Sequence, residues 1–133
     1  REAGFEYGAK TGRPRRVGPL DLVATRYGAE LQGATQIALT KLDVLSYMEK
    51  IPVCTHYRLN GKDIDSFPFT DDLAKAEPVL EYLDGWHCDI SGVRRWEDLP
   101  KAAKDYVVYL ENAIACPITY VSVGAERESI IIR

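Results

Sequence analysis

The sequence has few of the features that mark membrane, secreted or metal-stabilised proteins. No apolar run approaches the roughly 20 residues needed to cross a bilayer, and no signal peptide is recognisable. The three cysteines, Cys54, Cys88 and Cys116, are widely spaced and form no CxxC pair. Neither a disulfide framework nor a structural zinc site is therefore expected. A reducing cytoplasm is the predicted compartment, and no membrane partner is expected.

Excess positive charge is also absent from the chain as a whole. The net charge is −3, which argues against a general polyanion binder. The 133 residues are 46% hydrophobic and 28% charged, which is typical of one globular domain with a real core. Positive charge is nevertheless concentrated near the start, at Lys10, Arg13, Arg15 and Arg16.

Both ends of the sequence look cut. The chain opens on REAGFEYGAK without an initiator methionine, and it stops on the strand-like run SIIIR. We therefore expect a fragment of a longer protein.

The mixture of helical and alternating patterns predicts an α/β fold. One helix is expected to carry Pro19 in its first turn and to stop at Gly33, and a second to start from an Asp98 N-cap and end before Pro117. Asn60-Gly61 predicts a tight hairpin turn. Strands are predicted over residues 35–39, 52–59, 62–69, 118–123 and 129–132, with a short helical turn at 70–75. Residues 1–18 are expected to form a loop, and the pattern over 78–83 fits either a strand or a helix.

The glycine- and arginine-rich stretch GAKTGRPRRVG, residues 8–18, is the first candidate site. Glycines permit close approach of the backbone to a ligand, Thr11 offers a hydroxyl, and arginines offer forked donors to carboxylate or phosphate. Pro14 stiffens the loop. The stretch matches neither GxxxxGK[ST] nor GxGxxG. By composition, a small-anion site and a solvated basic loop are equally supported, and a nucleic-acid patch is less favoured.

The second candidate, Thr40-Lys41-Leu42-Asp43, follows a predicted strand. Ligands gather at strand ends in open α/β sheets. The Asp43 carboxylate could accept the ring N–H and 2-amino donors of guanine, while the stem of Lys41 covers the base. The spacing would place both side chains on one side of an extended segment. On spacing alone, a plain strand exit with solvated charges is favoured.

The remaining polar features are weaker signals. SVGAER, residues 122–127, offers Ser122 and backbone around Gly124 beside the second site, but alone it reads as an ordinary turn. His56 and His87 have no partner at metal-ligand spacing and are assigned structural roles. Trp86 and Trp96 are expected to pack rather than to stack on a ligand.

Taken in order, GAKTGRPRRVG, LDLVATRYG, LTKLDVL, the PGW-like LDGWHCDI and CPITYVSVGAER resemble adenylosuccinate synthetase over essentially the whole chain. The resemblance is to the C-terminal portion of that enzyme. It implies GTP-dependent ligation of IMP and L-aspartate to adenylosuccinate with Mg²⁺, in which the purine 6-oxygen is phosphorylated before the aspartate amine displaces the phosphate. It also implies a homodimer, and a fold that is the C-terminal part of a mixed or mostly parallel sheet with flanking helices and a β-hairpin.

The resemblance also implies roles for individual residues. The substrate-binding loop falls on Ala9, Lys10, Thr11, Gly12, Arg13, Pro14 and Arg15, with Arg13 also reaching IMP. The GTP contacts fall on Arg15, Lys41, Leu42, Asp43, Ser122, Val123 and Gly124. No catalytic residue and no Mg²⁺ ligand falls on this chain, so the fragment alone is expected to be inactive.

The sequence departs from the family at four places: Lys10, Pro14, Pro19 and the pair Ala125-Glu126. These departures bear on the local loop shape and on the Ser122–Gly124 contact, and they leave the guanine assignment unchanged. Two other functions compete with the enzyme: a guanine-nucleotide module without catalysis, and a basic-loop nucleic-acid binder. The guanine-nucleotide module leaves the loop of residues 8–18 without a role, and the nucleic-acid binder explains only the arginines of that loop.

Overall fold

Seven strands in two mixed sheets, with flanking helices, make up the computed structural model, which describes residues 1–133. This confirms the predicted α/β class. Two strand pairings are parallel and three are antiparallel, so the sheets are mixed rather than mostly parallel. None of the helices combines the length and apolar character that crossing a membrane requires. The first sheet contains β1 (Leu20–Asp21), β3 (Lys50–Leu59), β4 (Lys62–Ile64) and β5 (Glu77–Asp84), and the second contains β2 (Ile37–Leu39), β6 (Ile118–Ser122) and β7 (Ile130–Ile132).

The β3–β4 hairpin forms as predicted, but it is shorter. Asn60 and Gly61 both have positive φ, 51° and 76°, which is the backbone of a tight two-residue turn. Strand β4 pairs only from Lys62 to Ile64, whereas pairing to residue 69 was expected. The reason is tertiary. Strand β5 occupies one edge of β3 along its length, and β1 takes the other edge at Val53 and Cys54, beyond the end of β4.

The first helix, α1 (Leu22–Leu31), starts later than the sequence predicted. Pro19 lies outside it, because Leu20 and Asp21 form the short parallel strand β1 against β3. Asp21 is the N-cap, and its Oδ1 accepts a hydrogen bond from the Ala24 N–H at 3.0 Å. The predicted stop is confirmed, since Gly33 follows the helix with φ +59°.

The long helix α3 (Lys101–Ile114) packs one apolar face against α1 and β6. Its buried residues are Ala103, Tyr106, Val107, Leu110 and Ile114. The Asp98 N-cap prediction is wrong, because Asp98 ends a separate 3₁₀ turn, Trp96–Asp98, and Pro100 is the cap. The short helix α2 (Thr70–Leu73) falls within the predicted turn.

The ambiguous segment 78–83 is strand, within β5, which pairs antiparallel with β3. The strand is followed by Gly85, where a Cβ atom would lie 1.8 Å from the Met48 carbonyl oxygen. Only glycine fits this approach. This close approach of the backbone at Gly85 places the next residue, Trp86, in the core, where the indole N–H donates to Ser46 Oγ at 2.9 Å. The predicted packing role of Trp86 is thereby confirmed.

One main core joins α3 to both sheets, with Ile51 and Val53 contributed by the first sheet. It includes Leu42, Val121, Val123 and Ile131, each no more than 1% exposed. Full burial of such a side chain stabilises the fold by about 1.5–3 kcal/mol. Since these residues surround the ends of β2 and β6, the core supports the candidate site directly.

Candidate functional site

The second and third candidate stretches meet at one edge of the second sheet. Strands β2 and β6 are parallel, with Leu39 opposite Val121. Their carboxyl ends therefore share an edge, and the segments that leave them, Thr40–Asp43 and Ser122–Gly124, lie side by side. The 3₁₀ turn Leu42–Leu45 contacts β6. The structure thus brings together two stretches that lie about 80 positions apart along the chain.

The local shape of the first stretch differs from the prediction. Lys41 adopts the left-handed conformation (φ 63°, ψ 36°), and Asp43 lies within the 3₁₀ turn. The two residues therefore do not occupy one face of an extended segment. The physical reason is Leu42, which is 1% exposed and anchors the turn in the core.

Asp43 carries an unsatisfied polar atom in this site. Its Oδ1 is buried and accepts no hydrogen bond, and no other buried side-chain nitrogen or oxygen of the chain lacks a partner. Leaving a buried acceptor unpaired costs about 1–3 kcal/mol, and more when it is charged. A ligand that brings N–H donors to this carboxylate would recover that cost.

Lys41 reaches away from the sheet edge toward Gly4 and Glu6, which precede the loop of residues 8–18. Its ammonium donates to the Gly4 carbonyl oxygen at 2.7 Å and forms an ion pair with Glu6. About half of its side chain, 48%, remains exposed. With the charged end held by the loop, the methylene stem is the part left free to contact a ligand.

The loop of residues 8–18 is a small, exposed hairpin. Tyr7 bridges Pro14, the Gly8 N–H donates to the Arg13 carbonyl at 2.8 Å, and the Gly12 N–H donates to the Gly8 carbonyl at 2.8 Å. The Thr11 hydroxyl accepts the Arg13 N–H at 3.3 Å. Every proposed substrate-binding residue is exposed: Ala9, Lys10, Thr11, Gly12, Arg13, Pro14 and Arg15. The arrangement presents cationic and hydroxyl groups to solvent, as an anion site requires.

Glu6 is the residue that sequence reasoning missed. Its Oε2 accepts a hydrogen bond from the Arg15 guanidinium at 2.9 Å, while its Oε1 pairs with Lys41. The hydrogen bond from Lys41, followed by that from Arg15, holds the pKa of Glu6 below its ordinary value. An acidic residue just before a basic loop was the only signal, and it does not reveal the distant partner Lys41.

The third stretch is a closed turn with little freedom. The Ser122 hydroxyl donates to the Gly124 carbonyl at 2.9 Å, and the fully buried Val123 donates its N–H to the Ser129 carbonyl at 2.9 Å. A Cβ on Gly124 would lie 2.9 Å from Ser129 Oγ. Ser122 and Val123 can therefore meet a ligand through backbone atoms and one already bonded hydroxyl.

A cavity of about 450 Å³ lies between residues near the N-terminus, such as Gly4 and Glu6, and the segment that follows β2. Glu6 and Lys41 contribute its polar wall, and Leu39, Leu42 and Val44 contribute part of its apolar wall. Asp43, Ser122 and Gly124 lie outside the lining. The cavity therefore adjoins the shared edge of β2 and β6 without including these three residues.

The histidines and the second tryptophan lie away from these stretches. His56 Nε2 is 3.6 Å from Asp63 on the β3–β4 hairpin, and His87 is exposed with φ 47°. No group of three His, Cys, Asp or Glu residues is placed to hold a metal ion. The Trp96 ring lies beneath the Arg133 guanidinium at 4.1 Å. All three cysteines are free thiols.

The fold and site together define an α/β protein whose polar groups gather at the carboxyl ends of two parallel strands. The family model for adenylosuccinate synthetase matches residues 1–131, and the chain belongs to this family.

Individual relatives agree. The chain is 48% identical to the adenylosuccinate synthetase of Caldanaerobacter subterraneus over 99% of its length, and 50% identical to that of Salinibacter ruber over 98%. The structure of fully ligated adenylosuccinate synthetase from Plasmodium falciparum superimposes on all of the chain with a TM-score of 0.94 at 36% identity, and the match covers 32% of that chain. The chain spans about a third of the curated relatives, 31% and 30% of their lengths.

Proposed function

We propose that this chain is the part of an adenylosuccinate synthetase that recognises guanine and aspartate during GTP-dependent ligation of IMP and L-aspartate. The observation that carries the proposal is the buried, unpaired Oδ1 of Asp43 at the shared edge of β2 and β6. Guanine presents two parallel donors, its ring N–H and its 2-amino group, and a carboxylate accepts such a pair. Adenine has no such pair, so the same geometry selects GTP over ATP.

The other binding roles extend this proposal. Lys41 covers one face of the base with its stem, and Leu42 fixes the position of Asp43 from the core. Ser122, Val123 and Gly124 supply the neighbouring backbone contact. The exposed loop Ala9–Arg15 binds the carboxylates of aspartate through Thr11 and the arginines, with Arg13 also reaching IMP and Arg15 contacting the GTP side.

The position of the chain in the enzyme is a further part of the proposal. The motif order supports the C-terminal portion, with the catalytic groups on the remaining chain. In keeping with the family, we place the Mg²⁺ ligands on that remaining chain as well. Sequencing the flanking coding region tests this: a glycine-rich phosphate loop encoded before Arg1 supports the placement. The same loop encoded after Arg133 would put the chain in the N-terminal part and overturn it.

We further propose that the complete enzyme is a cytoplasmic homodimer and that this polypeptide alone does not turn over. Adenylosuccinate formation by the purified 133-residue chain would contradict the second statement. A guanine-nucleotide module without catalysis also accounts for Asp43. It predicts that the complete protein binds GTP but forms no adenylosuccinate from IMP and aspartate.

Asp43→Asn in the complete enzyme is the decisive substitution. Losing a charge-assisted pair worth about 1.5–3 kcal/mol should raise the KM for GTP by about tenfold to a hundredfold. The preference for GTP over ITP, which lacks the 2-amino group, should collapse, and the KM for aspartate should stay within about twofold of wild type, an experimental margin of roughly 0.4 kcal/mol. Asp63→Asn, on the exposed hairpin, is the control. An unchanged GTP-to-ITP ratio in Asp43→Asn contradicts the base-edge assignment.

Arg15→Leu tests the loop separately. Loss of a guanidinium that binds a carboxylate should raise the KM for aspartate by about tenfold, and it should leave the GTP-to-ITP ratio unchanged because no base contact is lost. Arg58→Leu removes an arginine of the β3–β4 hairpin and should leave both the KM for aspartate and the GTP-to-ITP ratio unchanged. If Arg15→Leu behaves like Arg58→Leu, the loop does not bind aspartate.

A further inference from the structure

Glu6 is placed where the two proposed binding regions meet. Each of its carboxylate oxygens serves a different cation: Oε2 accepts from Arg15 at 2.9 Å, and Oε1 pairs with Lys41. The Glu6 side chain is 19% exposed, against 58% for Arg15 and 48% for Lys41. The carboxylate is thus the inner member of the cluster, and the two cations reach toward it from solvent.

The backbone holds Glu6 firmly in this position. Its N–H donates to the Arg1 carbonyl at 3.0 Å, and its carbonyl accepts the Arg15 N–H at 2.9 Å. Glu6 therefore binds Arg15 through both main chain and side chain. Lys41 joins from 35 positions away and also donates to the Gly4 carbonyl. The loop and the strand exit are connected as one polar unit.

We infer that Glu6 is a positioning residue that couples the aspartate loop to the guanine site by sharing one carboxylate between Arg15 and Lys41. This inference rests on the proposed function. When an anionic ligand draws the Arg15 guanidinium away, the whole charge of Glu6 becomes available to Lys41. Lys41 is then held more tightly beside the base, so aspartate binding strengthens GTP binding, and linkage makes the effect reciprocal.

The size of the effect follows from the kind of contact. The cations are partly exposed, and such ion pairs change an equilibrium by about two- to fivefold. Glu2 provides a matched comparison, because it lies in the same segment and accepts a hydrogen bond from the Tyr7 hydroxyl, yet neither cation contacts it.

The experiment measures the KM for GTP at low and at saturating aspartate in the complete enzyme. In wild type, saturating aspartate should lower the KM for GTP by about two- to fivefold. Glu6→Gln keeps the size of the side chain and removes its charge. The ratio of the KM for GTP at low aspartate to the KM for GTP at saturating aspartate should therefore fall to one. Glu6→Asp keeps the charge and should restore part of the ratio. Glu2→Gln should retain the wild-type ratio. A residue with only a structural role would change the KM for GTP by the same factor at low and at saturating aspartate, so the ratio of the two values would stay the same.

Three results would overturn the inference: a ratio of one in wild type, a wild-type ratio in Glu6→Gln, or equal loss in Glu6→Gln and Glu2→Gln. Failure of the proposed function is distinct, because Asp43→Asn would then leave the GTP-to-ITP ratio unchanged, or Arg15→Leu would leave the KM for aspartate unchanged. If Glu6→Gln does not fold, the same ratio is measured in wild type at increasing salt concentration instead. Screening of partly exposed pairs should bring the wild-type ratio toward one between about 0.05 and 0.5 M NaCl, and a ratio insensitive to salt would count against the inference.

Discussion

The loop of residues 8–18 and the shared edge of β2 and β6 hold their polar groups in opposite ways. The loop is a surface hairpin held by a few backbone hydrogen bonds and by the ion pair between Arg15 and Glu6, with all of Ala9–Arg15 exposed. The sheet edge is anchored from below by Leu42, Val121 and Val123, each no more than 1% exposed. One region keeps its charges in water, and the other hides a carboxylate oxygen from it.

This difference fits two kinds of recognition. A buried acceptor discriminates between ligands, because a ligand that fails to pair with it leaves the desolvation cost in place. Exposed arginines attract anions at little folding cost, but water and salt weaken each contact. The proposed function accordingly assigns the nucleotide base to the buried acceptor and the small dicarboxylate to the exposed arginines.

The largest expected effect is loss of a buried core side chain on β6, the strand that leads to the sheet edge. Ile118→Ala on β6 removes a side chain that is 1% exposed and should reduce the free energy of unfolding by about 2–5 kcal/mol. Ile132→Ala on β7 removes the same atoms from a side chain that is 69% exposed and should cost under about 0.5 kcal/mol. Urea unfolding of both variants measures the difference. Similar costs at the two sites would show that β6 does not depend on this core.

A smaller change in stability is expected when one methyl group is added to a glycine in each region. In Gly124→Ala, the new Cβ meets Ser129 Oγ at 2.9 Å and its Cβ at 3.0 Å, so the closed turn must shift at a cost of about 1–3 kcal/mol. Gly18→Ala at the end of the loop meets nothing within 4 Å and should be neutral or slightly stabilising. Thermal unfolding midpoints compare the two. A neutral Gly124→Ala would remove the distinction between a tight edge and a tolerant loop.

The smallest effect concerns the attachment of the loop through Glu6. Lys41 and then Arg15 hold the pKa of Glu6 below its ordinary value of 4.5. Because the folded pKa is the lower one, the contribution of this carboxylate is fully present above pH 4.5 and is lost as the pH falls through the folded pKa. The difference in unfolding free energy between wild type and Glu6→Gln should therefore shrink on acidification toward about pH 3. Urea midpoints across this range measure it, and a difference that grows in acid would contradict the pairing.

Local patterns predicted the elements that depend on neighbouring residues. The Asn60-Gly61 turn, a second helix that ends before Pro117 and the stop at Gly33 all form as expected. Each is decided by turn chemistry or by helical period within a few residues. The errors came where distant partners intervened. Strand β4 ends early because β1 takes the same edge of β3, and Pro19 is excluded from α1 because Leu20 and Asp21 pair as β1.

The site divides in the same way. The sequence by itself determined which groups are available: an exposed basic loop, a lysine and aspartate after β2, and a small turn after β6. Only the tertiary structure decided that parallel pairing brings the two strand exits together, that Leu42 bends its segment into a 3₁₀ turn, and that Glu6 joins Arg15 to Lys41. The physical reason is that residue type and period fix local conformation, whereas the burial of Asp43 and the partners of Glu6 depend on contacts between segments far apart in the chain.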